Sequence, residues 1–258
     1  MRLPYVEQGE GTPLLLLHGL TDSWRSWEPV LGHLPETVRA IAVTQRGHGD
    51  AERPESGYQA EDYAADALEL MDELGLDSAV VAGHSMGTYV AEQIAIERPE
   101  RVSKLVLAGA PGPPAGNPVI VEVADAVAGL EDPIDPEFVR EFQASTTERP
   151  LPPGRLDIFV AESLKLPARV WRAAFAGLLD MALSAGLRRI EQPVLLVHGE
   201  RDALVPREEQ DWLVRTLPNA RLLSFEGTGH APHWEEPERF ARELAAFAGA
   251  PAPSNVAA

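Results

Sequence analysis

Short, unbroken apolar runs that each stop at glycine or a polar residue, alternating with segments of helical period, constrain this chain more than any other feature. Leu14-Leu15-Leu16-Leu17 ends at His18-Gly19, and the run Val38 to Val43 carries a single charge, Arg39, near its start. Ala79-Val80-Val81-Ala82, Leu105-Val106-Leu107 and Val194-Leu195-Leu196-Val197 repeat the pattern, and Leu222-Leu223-Ser224-Phe225 reads as the last strand. Strands that are apolar without alternation are buried on both faces, which predicts a mostly parallel sheet flanked by helices, an α/β fold. Tyr63, Ala67, Leu70 and Leu74 mark one such helix, stopped by Gly75. Thr88 to Arg98, Glu208 to Leu217 and Glu238 to Phe247 predict three more.

The rhythm breaks between Gly112 and about Leu187. This stretch opens on Pro111-Gly112-Pro113-Pro114 and contains no buried-strand run, only helical pieces at Pro118–Leu130, Pro136–Thr146, Arg155–Leu166 and Ala168–Ser184. It lies between two strands of one sheet, so it predicts a helical cap. The expected organisation is a core at 1–111 and 188–249, a cap at 112–187 and a flexible tail at 250–258.

Composition narrows the function. With 258 residues and a hydrophobic fraction of 45%, the chain can bury a sizeable core. No apolar run approaches a membrane span. The start, Met1-Arg2-Leu3-Pro4, lacks the layout of a signal peptide, which predicts a cytoplasmic location. The absence of cysteine excludes disulfides, thiolate metal sites and a cysteine nucleophile. A formal net charge of −18 repels nucleic acid and anionic membranes, leaving a small molecule as the expected partner. Nothing in the sequence sets the oligomeric state.

The chemistry gathers at three run ends. Gly83-His84-Ser85-Met86-Gly87 follows a strand run and opens a helix. Such a turn presents the serine hydroxyl on a strained backbone, beside the N–H groups of a helix start. A serine hydroxyl needs a base, and the base needs a partner that fixes its tautomer. Asp202, just past Val194–Val197, and His230, after the last strand, supply these roles, with Glu200 as the alternative acid. Acyl transfer also needs oxyanion donors. The backbone N–H groups of Met86 and of Leu20, in His18-Gly19-Leu20-Thr21, are the candidates, with His18 read as a structural hydrogen-bonding group.

In order along the chain, His18-Gly19, Arg46-Gly47-His48-Gly49, Gly83-His84-Ser85-Met86-Gly87, Gly199-Glu200-Arg201-Asp202 and Gly229-His230 resemble the landmarks of the α/β-hydrolase superfamily. The closest likeness is to its small esterase, lactonase, haloperoxidase-like and C–C-bond hydrolase group. The resemblance implies an eight-stranded, mostly parallel sheet, a helical cap, no cofactor and hydrolysis of a small ester through an acyl-enzyme on Ser85. Lactone, C–C bond and peracid chemistry use the same machinery, and some members serve as receptors without turnover. One departure is Thr44, where the superfamily usually has an aspartate, which puts the local hydrogen bonding in question. Trp24, Trp171 and Phe175 are candidates for the pocket wall, although an aromatic at helical spacing more often belongs to the core. His48, His84, His198 and His233 lack metal-ligand spacing, so no metal is expected.

Overall fold

A computed structural model describes residues 1–112, 117–179 and 184–249, so the expected tail lies outside the described residues. The strands are β1 (Tyr5–Gln8), β2 (Thr12–Leu17), β3 (Val38–Val43), β4 (Ala79–His84), β5 (Val102–Ala108), β6 (Val194–Gly199) and β7 (Ala220–Phe225). They form one sheet in the order β1-β3-β2-β4-β5-β6-β7, with only β1 antiparallel to its neighbour. The resemblance implies eight strands and the described residues form seven. The short link Gly9-Glu10-Gly11 runs directly from β1 into β2, so no further strand intervenes there.

Helices α1 (Glu28–Leu31), α2 (Ala60–Glu73) and α3 (Met86–Glu97) connect the first half of the sheet. Among the described residues, five helices intervene between β5 and β6: α4 (Pro118–Ala128), α5 (Pro136–Ala144), α6 (Arg155–Ser163), α7 (Ala168–Leu179) and α8 (Ser184–Leu187). After them come α9 (Arg207–Thr216), α10 (Pro232–Glu235) and α11 (Pro237–Ala248). Local signals account for several boundaries. The side chains of Asn117 and Asp135 cap α4 and α5, each followed by proline in the first turn, and a Gln59–Asp62 capping box opens α2.

Strand side chains alternate between two cores. Leu15, Leu17, Ile41, Val43 and Val81 join the face covered by α2, α3 and the inserted helices. Leu14, Leu16, Ala40, Ala42, Val80 and Ala82 pack with Trp27, Val30, Phe240 and Leu244 on the other. The chain steps outward from β2 to β3 and then returns past β2 to β4, so the direction of winding reverses between β2 and β4. Loops leaving the C-terminal ends of two such strands diverge and leave a crevice, which is where ligands of open α/β sheets bind. His18 to Asp22 leave β2 there, and Ser85 leaves β4.

Candidate active site

Ser85 sits between β4 and α3 with φ 50° and ψ −117°, in the strained geometry the motif predicts. Its side chain makes no capping bond to the helix, so the hydroxyl is not tied to the helix it precedes. The flanking glycines are required by contact. A Cβ on Gly83 would lie 2.2 Å from the carbonyl oxygen of Gly87, and one on Gly87 would lie 2.3 Å from that of Leu17 and 2.7 Å from that of His18. The first turn of α3, with the Met86 N–H, is therefore pressed against the end of β2 from which the Leu20 loop departs. Both residues are buried.

The acid and the histidine meet. His230 Nδ1 donates to Asp202 Oδ2 at 2.8 Å, which leaves Nε2 as the acceptor of the neutral ring. Asp202 Oδ1 accepts the N–H groups of Leu204 and Val205, each at 2.9 Å. Burial opposes the Asp202 charge, but the charge and hydrogen bond of His230 and these two N–H groups outweigh it and hold the carboxyl below its usual range. The imidazole also lies against His84, which precedes Ser85, and Gly109, which follows the strand beside it. Its ring centroid is 5.0 Å from that of His84, whose Nε2 donates to the His230 carbonyl at 3.1 Å. On the other side the Ser85 N–H bonds to Ala108 O at 2.9 Å, and a Cβ on the next residue, Gly109, would sit 2.9 Å from His230 Nδ1. Only glycine there leaves room for the ring.

The surrounding histidines are held neutral. His18 Nδ1 donates to Gly19 O at 2.7 Å while Nε2 accepts from the Gln45 N–H at 3.0 Å, a purely structural pattern. Burial, with the charge of His230 second, pushes His84 down to about 3, and burial takes His48 down to about 4. His233 packs its ring 4.4 Å from His84 and pairs Nε2 with Ser26 Oγ at 3.1 Å. Among the described residues no three His, Asp or Glu side chains are arranged to hold a metal ion. Thr44 has a partner of its own, accepting the Trp24 N–H at 3.1 Å.

The pocket candidates fall in different places. Trp171 is wholly buried, 5.9 Å from Phe138 and 5.2 Å from Phe142, and with Phe175 it belongs to the core that also contains Leu20 and Met86. Trp24 is half-buried, packs on the opposite core and carries the Arg25 guanidinium 4.7 Å above its ring.

Sequence reasoning did not single out a buried polar cluster beside the Leu20 loop. Gln143 Nε2 of α5 lies 3.0 Å from Asp22 Oδ1, 2.7 Å from Ser163 Oγ of α6 and 3.2 Å from Thr21 Oγ1. Burial raises the Asp22 carboxyl to about 7, against the opposing bonds from Gln143 and Ser26 and the charge of His230. Glutamine and serine on amphipathic helices carry no pattern that marks them. Only the run of polar residues Thr21-Asp22-Ser23 directly after an apolar strand and turn hinted that this loop needed partners.

A serine on a left-handed strand-to-helix turn, with an aspartate–histidine pair at the same edge of a parallel sheet, defines the architecture of hydrolases built on a nucleophile elbow. The chain belongs to the alpha/beta hydrolase family, whose model matches residues 14–243. It is similar to the pimeloyl-[acyl-carrier protein] methyl ester esterase of Nitrosomonas europaea, with 31% identity over 90% of this chain and 94% of the relative. It is also similar to a non-heme chloroperoxidase of Streptomyces lividans, with 31% identity over 92% of each chain. Among solved structures, an esterase from Exiguobacterium antarcticum superposes with a TM-score of 0.87 at 25% identity, over 96% of both chains.

Proposed function

We propose that this protein is a serine hydrolase that cleaves carboxylic esters of small to medium acyl or aromatic acids through an acyl-enzyme on Ser85. The observation that carries this reading is the Asp202–His230 pair set against His84 and Gly109, which flank a strained Ser85. Because Nδ1 is committed to Asp202, His230 Nε2 takes the serine proton as Oγ attacks the ester carbonyl. Asp202 stabilises the imidazolium, and the Leu20 and Met86 N–H groups receive the charge on the carbonyl oxygen. The C–O bond to the alcohol then breaks, and His230 returns the proton to the leaving alkoxide. Water, deprotonated by the same nitrogen, attacks the acyl carbon, releases the acid and restores Ser85. None of these steps uses a cofactor. The inserted helices act as a cap over residues 112–187 that sets substrate choice, with Trp171, Phe175 and Trp24 as pocket-wall candidates. The likeness to an esterase by sequence and to another by structure supports the reading. The likeness to a chloroperoxidase supports a second acceptor, hydrogen peroxide in place of water, which would give a peracid from the same acyl-enzyme.

The test is hydrolysis of p-nitrophenyl acetate and longer esters by the wild type and three variants. Ser85→Ala and His230→Ala each remove nearly all activity with the fold retained, and Asp202→Asn, which favours the wrong tautomer, loses about 10⁴-fold in kcat. A His230→Ala variant that remains active sinks the assignment. A nearly silent Asp202→Asn moves the acid role to another carboxylate such as Glu200.

A further inference from the structure

Among the described residues, only two that are not glycine hold a positive φ: Ser85 at 50° and Thr21 at 67°. The elbow accounts for Ser85. Thr21 is different, because a β-branched residue opposes this conformation, and within its own loop the turn is closed only by one long bond, from the Asp22 N–H to Gly19 O at 3.4 Å. Shorter bonds that reinforce it come from the inserted helices. Thr21 is fully buried, and its hydroxyl oxygen lies 3.2 Å from both Gln143 Nε2 and Ser163 Oγ. The next residue, Asp22, accepts from the same Gln143 amide at 3.0 Å. Gln143 and Ser163 are themselves buried, and Ser163 is anchored by its bond to Phe159 O at 3.0 Å. Two amide protons thus serve three acceptors packed around one strained peptide, immediately after Leu20.

The same end of α5 also holds the histidine loop. Thr146 O accepts the Ala231 N–H at 3.0 Å, and Glu235 accepts the N–H groups of Gly229 and Arg149, each at 2.7 Å. One helix terminus therefore touches the segment that offers the oxyanion donor and the segment that carries the base. We propose that Gln143 is a positioning residue, which with Ser163 locks Thr21 and Asp22 and so aims the Leu20 N–H at the developing oxyanion. The inference rests on the reading of Leu20 as a donor in an acyl-transfer site, and it places control of that donor in the insertion. An N–H displaced by a fraction of an ångström still lets substrate enter but stabilises the transition state less, so the loss falls on kcat and spares KM.

The experiment compares full-length wild type with Gln143→Met, which keeps the chain length and removes both donors. Hydrogen–deuterium exchange over residues 19–26 becomes faster, a readout that needs no turnover. The kcat for p-nitrophenyl acetate and the rate at which a fluorophosphonate labels Ser85 both fall about 10- to 100-fold, while KM moves less than about twofold. Thr21→Gly added to Gln143→Met recovers about tenfold, since glycine holds φ near 67° without the restraint. Unchanged exchange, a kcat within about twofold of wild type, or a loss that Thr21→Gly does not relieve overturns the proposal. Should Gln143→Met not fold, Ser163→Ala gives the same comparison with smaller effects of the same sign, and its absence is equally decisive. If the wild type neither hydrolyses esters nor reacts at Ser85, the proposed function fails, and the exchange comparison alone still decides whether Gln143 positions the loop.

Discussion

Strain and buried charge in this protein concentrate on a few side chains, and each has a physical account. Ser85 and Thr21 hold backbone conformations that cost energy, and both lie where the reaction is proposed to occur. Glu92 is a different kind of expense. It is buried on α3, its Oε1 has no hydrogen-bond partner among the described residues, and burial raises its carboxyl to about 8. The folded state therefore keeps a proton that the unfolded chain releases near 4.5, so the contribution of Glu92 to stability falls as pH rises from about 4.5 to about 8 and is flat above. Glu92→Gln, neutral at every pH, should match the wild type at pH 4 and melt roughly 3 °C or more higher at pH 9. A melting difference that does not change with pH would place the Glu92 proton elsewhere. At this scale the proposed chemistry was legible where it rests on polar side chains at run ends, as for Ser85, Asp202 and His230. Gln143 and Ser163 were not legible, because their partners Thr21 and Asp22 stand more than a hundred residues away and periodicity carries no long-range pairing.

Elements were readable in proportion to their burial. β2, β3 and β4 are mostly apolar because helices cover both faces, and their runs mark the strands to within about two residues. β1 escaped notice because it is an edge strand whose residues are alternately exposed and half-buried, so Tyr5-Val6-Glu7-Gln8 shows no apolar run. Helix spacing located α4 to α7, but it does not distinguish a pocket wall from a core, which is why Trp171 reads the same either way until its ring is seen between Phe138 and Phe142. Another aromatic joins the insertion to the histidine loop. Phe159 of α6 stacks on Trp234 of α10 at 4.0 Å between centroids, closing a small cluster with Ala231. Phe159→Ala should cost about 3 kcal/mol in urea unfolding, in the range of large-to-small aromatic replacements. A loss below about 1 kcal/mol would mean that α6 relaxes to fill the gap.

At the scale of the whole molecule, the 40 Asp and Glu exceed the 22 Lys and Arg, so that even with pairs such as Arg46–Asp66, at 2.5 Å, a net charge of −18 is left over. The remainder repels itself in the compact state, and that repulsion is screened over about 8–10 Å at ordinary salt. The melting temperature should therefore rise by a few degrees between low salt and about 0.2 M sodium chloride. A flat or falling profile would show that the ion pairs outweigh the excess. Among the described residues no helix is long and apolar enough to cross a membrane. The placement of α5 has a practical outcome for anyone remodelling this scaffold. Since a single helix end grips both the Thr21 turn and the Ala231 backbone, the insertion is not an interchangeable module. A chimera that imports another protein's insertion without matching its Gln143 and Thr146 contacts would inherit a new pocket over a misaligned reaction centre, so altered selectivity and lost turnover would arrive together.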